Sequence, residues 1–451
     1  MTATTTAQHP LRDWVPATRT LLIGGEMEQP EGDTWDVFNP ATEAVIATVG
    51  GASTDQVDAA VMAARAAFPM WSALSGEERA RHIHRFADVL EAAADRLLPS
   101  IVNEVGTPVS LAEYLQVKMA VQEHLRWAAD AAKVDRTIHL GGYDKPAPTQ
   151  SDVVYEPVGV VAAITGYNYP LNLAIFKFGA ALAAGCTVVL LPSPRTPLTT
   201  LLLGDLIQEA GLPPGVMNVV IGGPDVGERL TTHPGVDRVS FTGSDGVGSK
   251  IMAQAAQNLV GVTLELGGKS PSLVMPDVDV QKIAVEMHLR WSRNGGQGCA
   301  ALARLLVHQS KYDEFLAAGG TKLLEVTKPV PEKGWFVNPV LLGNLPADAR
   351  AVQQEIFGPV AVILPFKDTE EAIRLANDTA YGLAANVWCN DPVEARRIAQ
   401  QIRAGTVWIN GGGAMRPDAP FGGYGRSGVG RELGEWGMRE YLEVKHIQWR
   451  V

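Results

Sequence analysis

Only three cysteines, Cys186, Cys299 and Cys389, occur among 451 residues, and they stand far apart. That scarcity excludes a disulfide framework and a cysteine-built metal site, and it leads us to expect a reducing cytoplasm. Positive charge is short as well. Lys and Arg number 38 against 49 Asp and Glu, the formal net charge is −11, and no basic block occurs. Nucleic acid and anionic membrane surfaces are therefore not expected as partners. There is no internal repeat and no low-complexity tract. The longest uncharged run, Pro157 to Phe176, is broken by Gly166-Tyr167-Asn168-Tyr169-Pro170 and followed by Lys177. Unpaired loop backbone is costly in lipid, so a buried strand, a loop and a core helix explain this run better than a membrane span. Met1 to Arg19 lacks an apolar core, which argues against a secretory signal and predicts a frayed tail.

What is present suits a soluble globular enzyme of two or three domains: 46% hydrophobic and 19% charged residues. The spacing predicts a helix over Ser53 to Phe68, capped by Thr54. Ser75-Gly76-Glu77-Glu78 reads as a capping box opening a second helix to about Leu98. Thr137 to Tyr155 is Gly-, Pro- and β-branched-rich, like an exposed hairpin. From Val158 strands alternate with helices: Val158 to Ile164, Leu171 to Ala184, Thr187 to Leu191, Pro197 to Ala210, Val216 to Ile221 and Val236 to Phe241. The alternation resumes after Cys299 with strand Ala303 to Val307, helix Ser310 to Ala318, strand Val360 to Pro365, helix Thr369 to Asn377 and strand Ala385 to Trp388. Such a pattern predicts an α/β fold with two parallel-sheet domains and a cleft between them.

Chemistry concentrates in a few short segments. Cys299 lies in Asn294-Gly295-Gly296-Gln297-Gly298-Cys299, where flanking glycines let a substrate approach the backbone closely. Glu265, in Leu264-Glu265-Leu266-Gly267-Gly268-Lys269, is a candidate general base for that thiol, with an exposed edge as the plainer alternative. Asn168 is either a turn residue or a side-chain amide aimed at an oxyanion. Lys177 is a charge inside an apolar helix, costly unless paired. Phe241-Thr242-Gly243-Ser244-Asp245-Gly246-Val247-Gly248 follows a strand and opens a helix, a geometry that suits a pyrophosphate although it lacks the G-x-G-x-x-G form. Cys186 and Cys389 read as small core residues.

In combination, these segments and Glu355-Ile356-Phe357-Gly358-Pro359 and Pro420-Phe421-Gly422-Gly423 resemble the aldehyde dehydrogenase superfamily, from about Leu21 to His446. The resemblance implies oxidation of an aldehyde to a carboxylic acid with NAD or NADP, on two Rossmann-like domains and a small β oligomerisation arm. It implies a cofactor-binding domain at 1–136 and 156–266, a catalytic domain at 267–436, and the arm at 137–155 and 437–451. Cys299 would be the nucleophile, Asn168 and the Cys299 amide the oxyanion hole, and Glu265 the base for the deacylating water. Glu432 matches a carboxylate of the family's proton relay. Lys177, also a catalytic candidate, and Glu355 would hold the nicotinamide ribose, with Phe357 near the nicotinamide. Thr165, Tyr167, Ser193, Arg195, Gly243, Ser244, Gly248 and Leu266 match other cofactor positions. Tyr169, Asn172, Phe176, Trp291 and Phe421 match the substrate tunnel, which leans towards an uncharged aliphatic or aromatic aldehyde, while Arg293 leaves an acidic one open. No metal is implied, and a homodimer or homotetramer is. The carboxylate at Glu265 favours water over coenzyme A as acyl acceptor.

Two departures stand out. Leu191 and Arg195 replace a lysine and a glutamate that the family usually carries; losing the glutamate removes repulsion of a 2′-phosphate and Arg195 offers it a partner, whereas losing the lysine removes a possible phosphate ligand, so NAD is the expected cofactor, with NADP tolerated. The stretch near 318–334 is also shortened, at the expense of a surface helix. That loss supports the competing reading, a catalytically impaired relative kept as a binding or structural protein.

Overall fold

Strands Val160–Ile164 and Thr187–Leu191 are buried at every position. Strands with no face to solvent need cover on both sides, and alternate residues supply it here. Val161, Ala163, Val188 and Leu190 enter one apolar core, while Val160, Ala162, Ile164, Val189 and Leu191 enter another on the opposite face. The computed structural model describes residues 15–315, 330–412 and 415–451.

These strands lie in an eight-stranded sheet, in the order Gly428–Val429, Gly261–Glu265, Arg238–Thr242, Val160–Ile164, Thr187–Leu191, Met217–Val219, Leu21–Ile23, Glu26–Glu28. The five central strands are parallel. A six-stranded sheet is parallel throughout, in the order Val340–Leu342, Val360–Phe366, Arg304–His308, Pro271–Val274, Ala384–Trp388, Thr406–Ile409. The third sheet is antiparallel: Ile138–Tyr143 and Thr149–Pro157 form the predicted hairpin, and Leu442–Arg450 pairs along the second strand. The α/β class with two parallel sheets is thus as expected.

Local differences have local causes. Ser53, not Thr54, caps helix Thr54–Ser72, because its hydroxyl accepts from the Gln56 amide while the Gln56 side chain returns the bond. The Ser75 box is present, but its helix stops at Ala92 and a new one, Ala94–Val105, follows. Ala112–Leu125 winds as a π-helix and Thr34–Asn39 pairs with Ala44–Gly50, neither of which the sequence announced. Helix Gln309–Phe315 is described, whereas the rest of the expected Ser310 to Ala318 helix lies outside the described residues, as does most of the shortened stretch. No helix among the described residues is long and apolar enough to cross a membrane.

The two parallel sheets meet through residues 422–429. Gly428–Val429 pairs with Gly261–Glu265, and the Ser427 hydroxyl donates to the Gly267 carbonyl at 2.7 Å while accepting from the Gly382 amide at 3.0 Å. The Ser427 carbonyl accepts from the Leu266 amide at 3.0 Å.

Candidate active site

Cys299 sits in the loop between helix Val280–Ser292 and strand Arg304–His308, after a turn in which Asn294 and Gly295 take left-handed backbone angles. Glycine is required around it. A Cβ on Gly268 would come within 2.5 Å of the Cys299 carbonyl, and one on Gly296 would strike the Gly358 backbone. Cys299 is half-buried, and it packs with Ala300 and Met415 against the buried cluster of Phe176, Leu383, Phe421 and Leu433. Burial, then the charges of Glu265 and Glu355, push its thiol up to about 12. The resting group is therefore a thiol that needs a base. Cys186 and Cys389 are core residues, as expected.

Asn168 is held against the nucleophile loop. Its Nδ2 donates to the Gln297 carbonyl at 2.9 Å, leaving the second N–H of that amide group. Its own carbonyl accepts from Asn294 Nδ2 at 3.1 Å, and Asn294 Oδ1 accepts from the Thr107 hydroxyl at 2.8 Å. The chain Thr107–Asn294–Asn168 was not anticipated, although a buried asparagine at φ 55 is a recognisable signal.

Glu265 ends strand Gly261–Glu265 and is only 2% exposed, so the exposed-edge alternative fails. Neither carboxylate oxygen has a hydrogen-bond partner among the described residues. Burial, reinforced by Glu432, raises its pKa well above the usual carboxylate range, with Lys177 opposing. Lys177 is fully buried; its Nζ contacts Glu432 Oε1 at 2.5 Å and donates to the Ser240 hydroxyl at 3.2 Å. That pairing engages the ammonium inside the protein.

Phe176 and Phe421 line the Cys299 cluster, and Asn172 lies one turn before Phe176 on helix Pro170–Ala184. Tyr169, the residue before that helix, has its hydroxyl pushed up by burial and lies in the field of Arg293 and Cys299. Trp291 does not join them. It is edge-on to His288 at 4.8 Å within the core of the six-stranded sheet.

The carboxyl ends of the parallel strands are the general ligand position in such sheets. The buried hydroxyls of Thr165 and Thr242 stand there, at the ends of adjacent strands, without partners among the described residues. Ser244 caps helix Asp245–Ala255 by accepting from the Val247 amide, and Gly246 has no atom within reach of an added Cβ. Gly243 donates its amide to the Glu265 carbonyl at 3.1 Å. Gly248 and Leu266 are instead packed on one another, at 2.6 Å for an added Cβ. Glu355 accepts from the Gly268 amide at 2.9 Å and is raised to about 7 by burial. Beneath it, Lys269 is buried, its Nζ unpartnered among the described residues and lowered to about 8 by burial. Phe357 takes φ 56 and meets Tyr167 edge-on at 5.8 Å, while the exposed Arg195 guanidinium lies 5.0 Å over the other ring, Tyr167. Ser193 accepts from the Arg195 amide at 3.3 Å, and Leu191 is buried.

The profile of the Aldehyde dehydrogenase family matches residues 27–328 and 316–447. The chain belongs to the aldehyde dehydrogenase family. It is 35% identical over 484 positions to the chloroplastic betaine aldehyde dehydrogenase of Beta vulgaris, covering 95% of this chain and 96% of that one. With an aldehyde dehydrogenase of Enchytraeus buchholzi it shares 36% identity over 495 positions, 98% of each chain. A mutant of aldehyde dehydrogenase C from Pseudomonas syringae, solved with NAD+ and octanal, superimposes with a TM-score of 0.90 at 35% identity, covering 97% and 98%. The two profile matches overlap at 316–328, across the start of the stretch read as shortened. This aldehyde dehydrogenase is an NAD(P)-dependent enzyme. The strand ends suit that cofactor: a capped helix N-terminus for its pyrophosphate, and two orphaned threonine hydroxyls with Glu355 where polar groups of the nicotinamide half would lie.

Proposed function

We propose that Cys299 is the nucleophile of a hydrolytic aldehyde oxidation, carried above all by its position between an apolar cluster and the buried, raised carboxyl of Glu265. The thiol proton passes to Glu265 as sulfur attacks the aldehyde carbon, and the oxyanion that forms accepts from the Asn168 amide and the Cys299 backbone N–H. Bound NAD(P)+ supplies the hydride acceptor that takes the adduct to a thioester on Cys299. Once Glu265 has given up the thiol's proton to solvent, its carboxylate removes a proton from water, which attacks the thioester and frees the carboxylic acid and the thiol. A carboxyl whose affinity for a proton is raised by burial is a fitting base for both steps. Lys177 and Glu432 keep a paired charge beside Glu265 and provide its route for proton exchange.

The apolar surroundings of Cys299 support an uncharged aliphatic or aromatic aldehyde as substrate, and the octanal held by the Pseudomonas syringae relative agrees with that. Arg195, exposed over Tyr167 with no carboxylate in the Ser193 to Thr196 turn, supports use of NADP beside NAD. Exposed Ile138, Leu140 and Tyr143 on the hairpin and Val444, Ile447 and Trp449 on the last strand support a homodimer or homotetramer built through the antiparallel sheet. An aldehyde panel with each cofactor, followed by nicotinamide absorbance, tests the reading. Turnover lost in Cys299→Ser supports it; cofactor binding without turnover of any aldehyde would favour an inactive binding protein.

A further inference from the structure

The wall beside Cys299 carries polar groups that the mechanism does not use. Phe176, which packs in the cluster touching Cys299, meets the ring of His124 edge-on, with centroids 4.7 Å apart. His124 comes from the π-helix Ala112–Leu125, is 3% exposed, and neither ring nitrogen has a partner among the described residues. On the facing helix Pro170–Ala184, Asn172 is 5% exposed and its Oδ1 is likewise unpartnered. Asn172 and Phe176 are four residues apart in that helix and so share a face. Two buried polar side chains therefore flank Phe176 from two elements. Leaving such groups unpaired costs about 1–3 kcal/mol each, which invites a ligand that satisfies them.

We propose that His124 and Asn172 are specificity-determining residues that hold a neutral hydroxyl at the end of the aldehyde remote from its carbonyl. The proposal rests on Cys299 as the point of carbonyl attack, with the tail running along Phe176. Burial lowers His124 to about 4, so near neutrality its imidazole is uncharged, with one donor and one acceptor nitrogen. Asn172 Oδ1 is an acceptor. Together they match a hydroxyl, which donates once and accepts once, and they offer no charge to a carboxylate. A plain alkyl tail would leave all of these atoms unpaired, and sites built for a hydroxyl discriminate strongly against its absence.

The test compares octanal with its ω-hydroxy analogue, and benzaldehyde with its para-hydroxymethyl analogue, on the wild-type enzyme and on His124→Leu. We expect kcat/KM to favour each hydroxylated aldehyde by about tenfold in the wild type. His124→Leu should abolish that preference, chiefly through KM, and His124→Gln should restore part of it. A wild-type preference for the plain aldehydes, or a ratio unmoved in His124→Leu, would overturn the proposal. Calorimetric titration of the wild type with octanol and the corresponding α,ω-diol reads the same discrimination without turnover. Preference for the diol in a protein that oxidises no aldehyde would support the clamp and overturn the proposed activity alone; equal binding of both alcohols would overturn the clamp.

Discussion

Two lysine–glutamate neighbourhoods lie on either side of Cys299, made of the same residue types and put to different use. Lys177 and Glu432 are both nearly inaccessible and in direct contact, with Ser240 taking a further bond from the ammonium. Lys269 and Glu355 make no such pair: Nζ stands without a partner among the described residues, and the carboxylate rests on a backbone amide. Burial moves both groups of the second site towards neutrality, Glu355 up to about 7 and Lys269 down to about 8. The first site is closed by its own ion pair beside Glu265. The second is left incomplete, as a site for an outside ligand must be.

The comparison can be broken at several points. Glu265→Gln, beside the closed pair, should lower kcat by about a hundred- to ten-thousandfold while cofactor binding persists, and with no burst of reduced nicotinamide, because the thiol and the water lose the same base. Lys177→Met leaves Glu432 as an uncompensated buried charge, and should destabilise the fold by about 3–5 kcal/mol in urea unfolding. Lys269→Met removes a group with no partner and should change stability by less than about 1 kcal/mol. If both variants lose equally, the contrast between the sites is wrong. Glu355→Gln should raise the cofactor KM by about tenfold with kcat for saturating cofactor nearly kept.

The smallest expected effect is a slope with pH. A carboxyl whose folded-state pKa is raised from 4.5 to about 7 makes the folded chain bind its proton more tightly than the unfolded chain. Stability from this group is present below pH 4.5 and is lost as the pH rises towards 7. Glu355→Gln should flatten that fall in urea midpoints. Glu104, lifted to about 7 chiefly by burial while accepting from the Leu198 and Thr199 amides, leaves a remainder in the same window.

How much of this was legible follows from the range of the forces involved. Thr187–Leu191 and Thr369–Asn377 appear with the ends expected for them, because continuous apolar runs and capped periodic segments are local properties. The choice between Ser53 and Thr54 as a cap was not legible, since adjacent residues of similar chemistry compete and only the chain's direction decides. Partners remote in sequence were hidden as well. Lys177 finds Glu432 255 positions away, a pairing that no local pattern announces. Trp291 follows the register of helix Val280–Ser292 into the core rather than towards Phe176. His124 gave no signal, because a π-helix shifts the faces that ordinary helical spacing would assign.

The Ser427 junction has a mechanical consequence. Its hydroxyl and carbonyl tie the turn after strand Gly261–Glu265 to Gly382, at the start of a strand of the other sheet, within a few residues of Glu265 and Phe421. A rocking motion of one lobe against the other would have to shear these bonds together, so the junction acts as a rivet at the axis where a clam-like enzyme would place its hinge. Backbone beside Glu265 is thereby coupled to the other sheet through a single serine, so a change at Ser427 would be felt on both sides of the site at once.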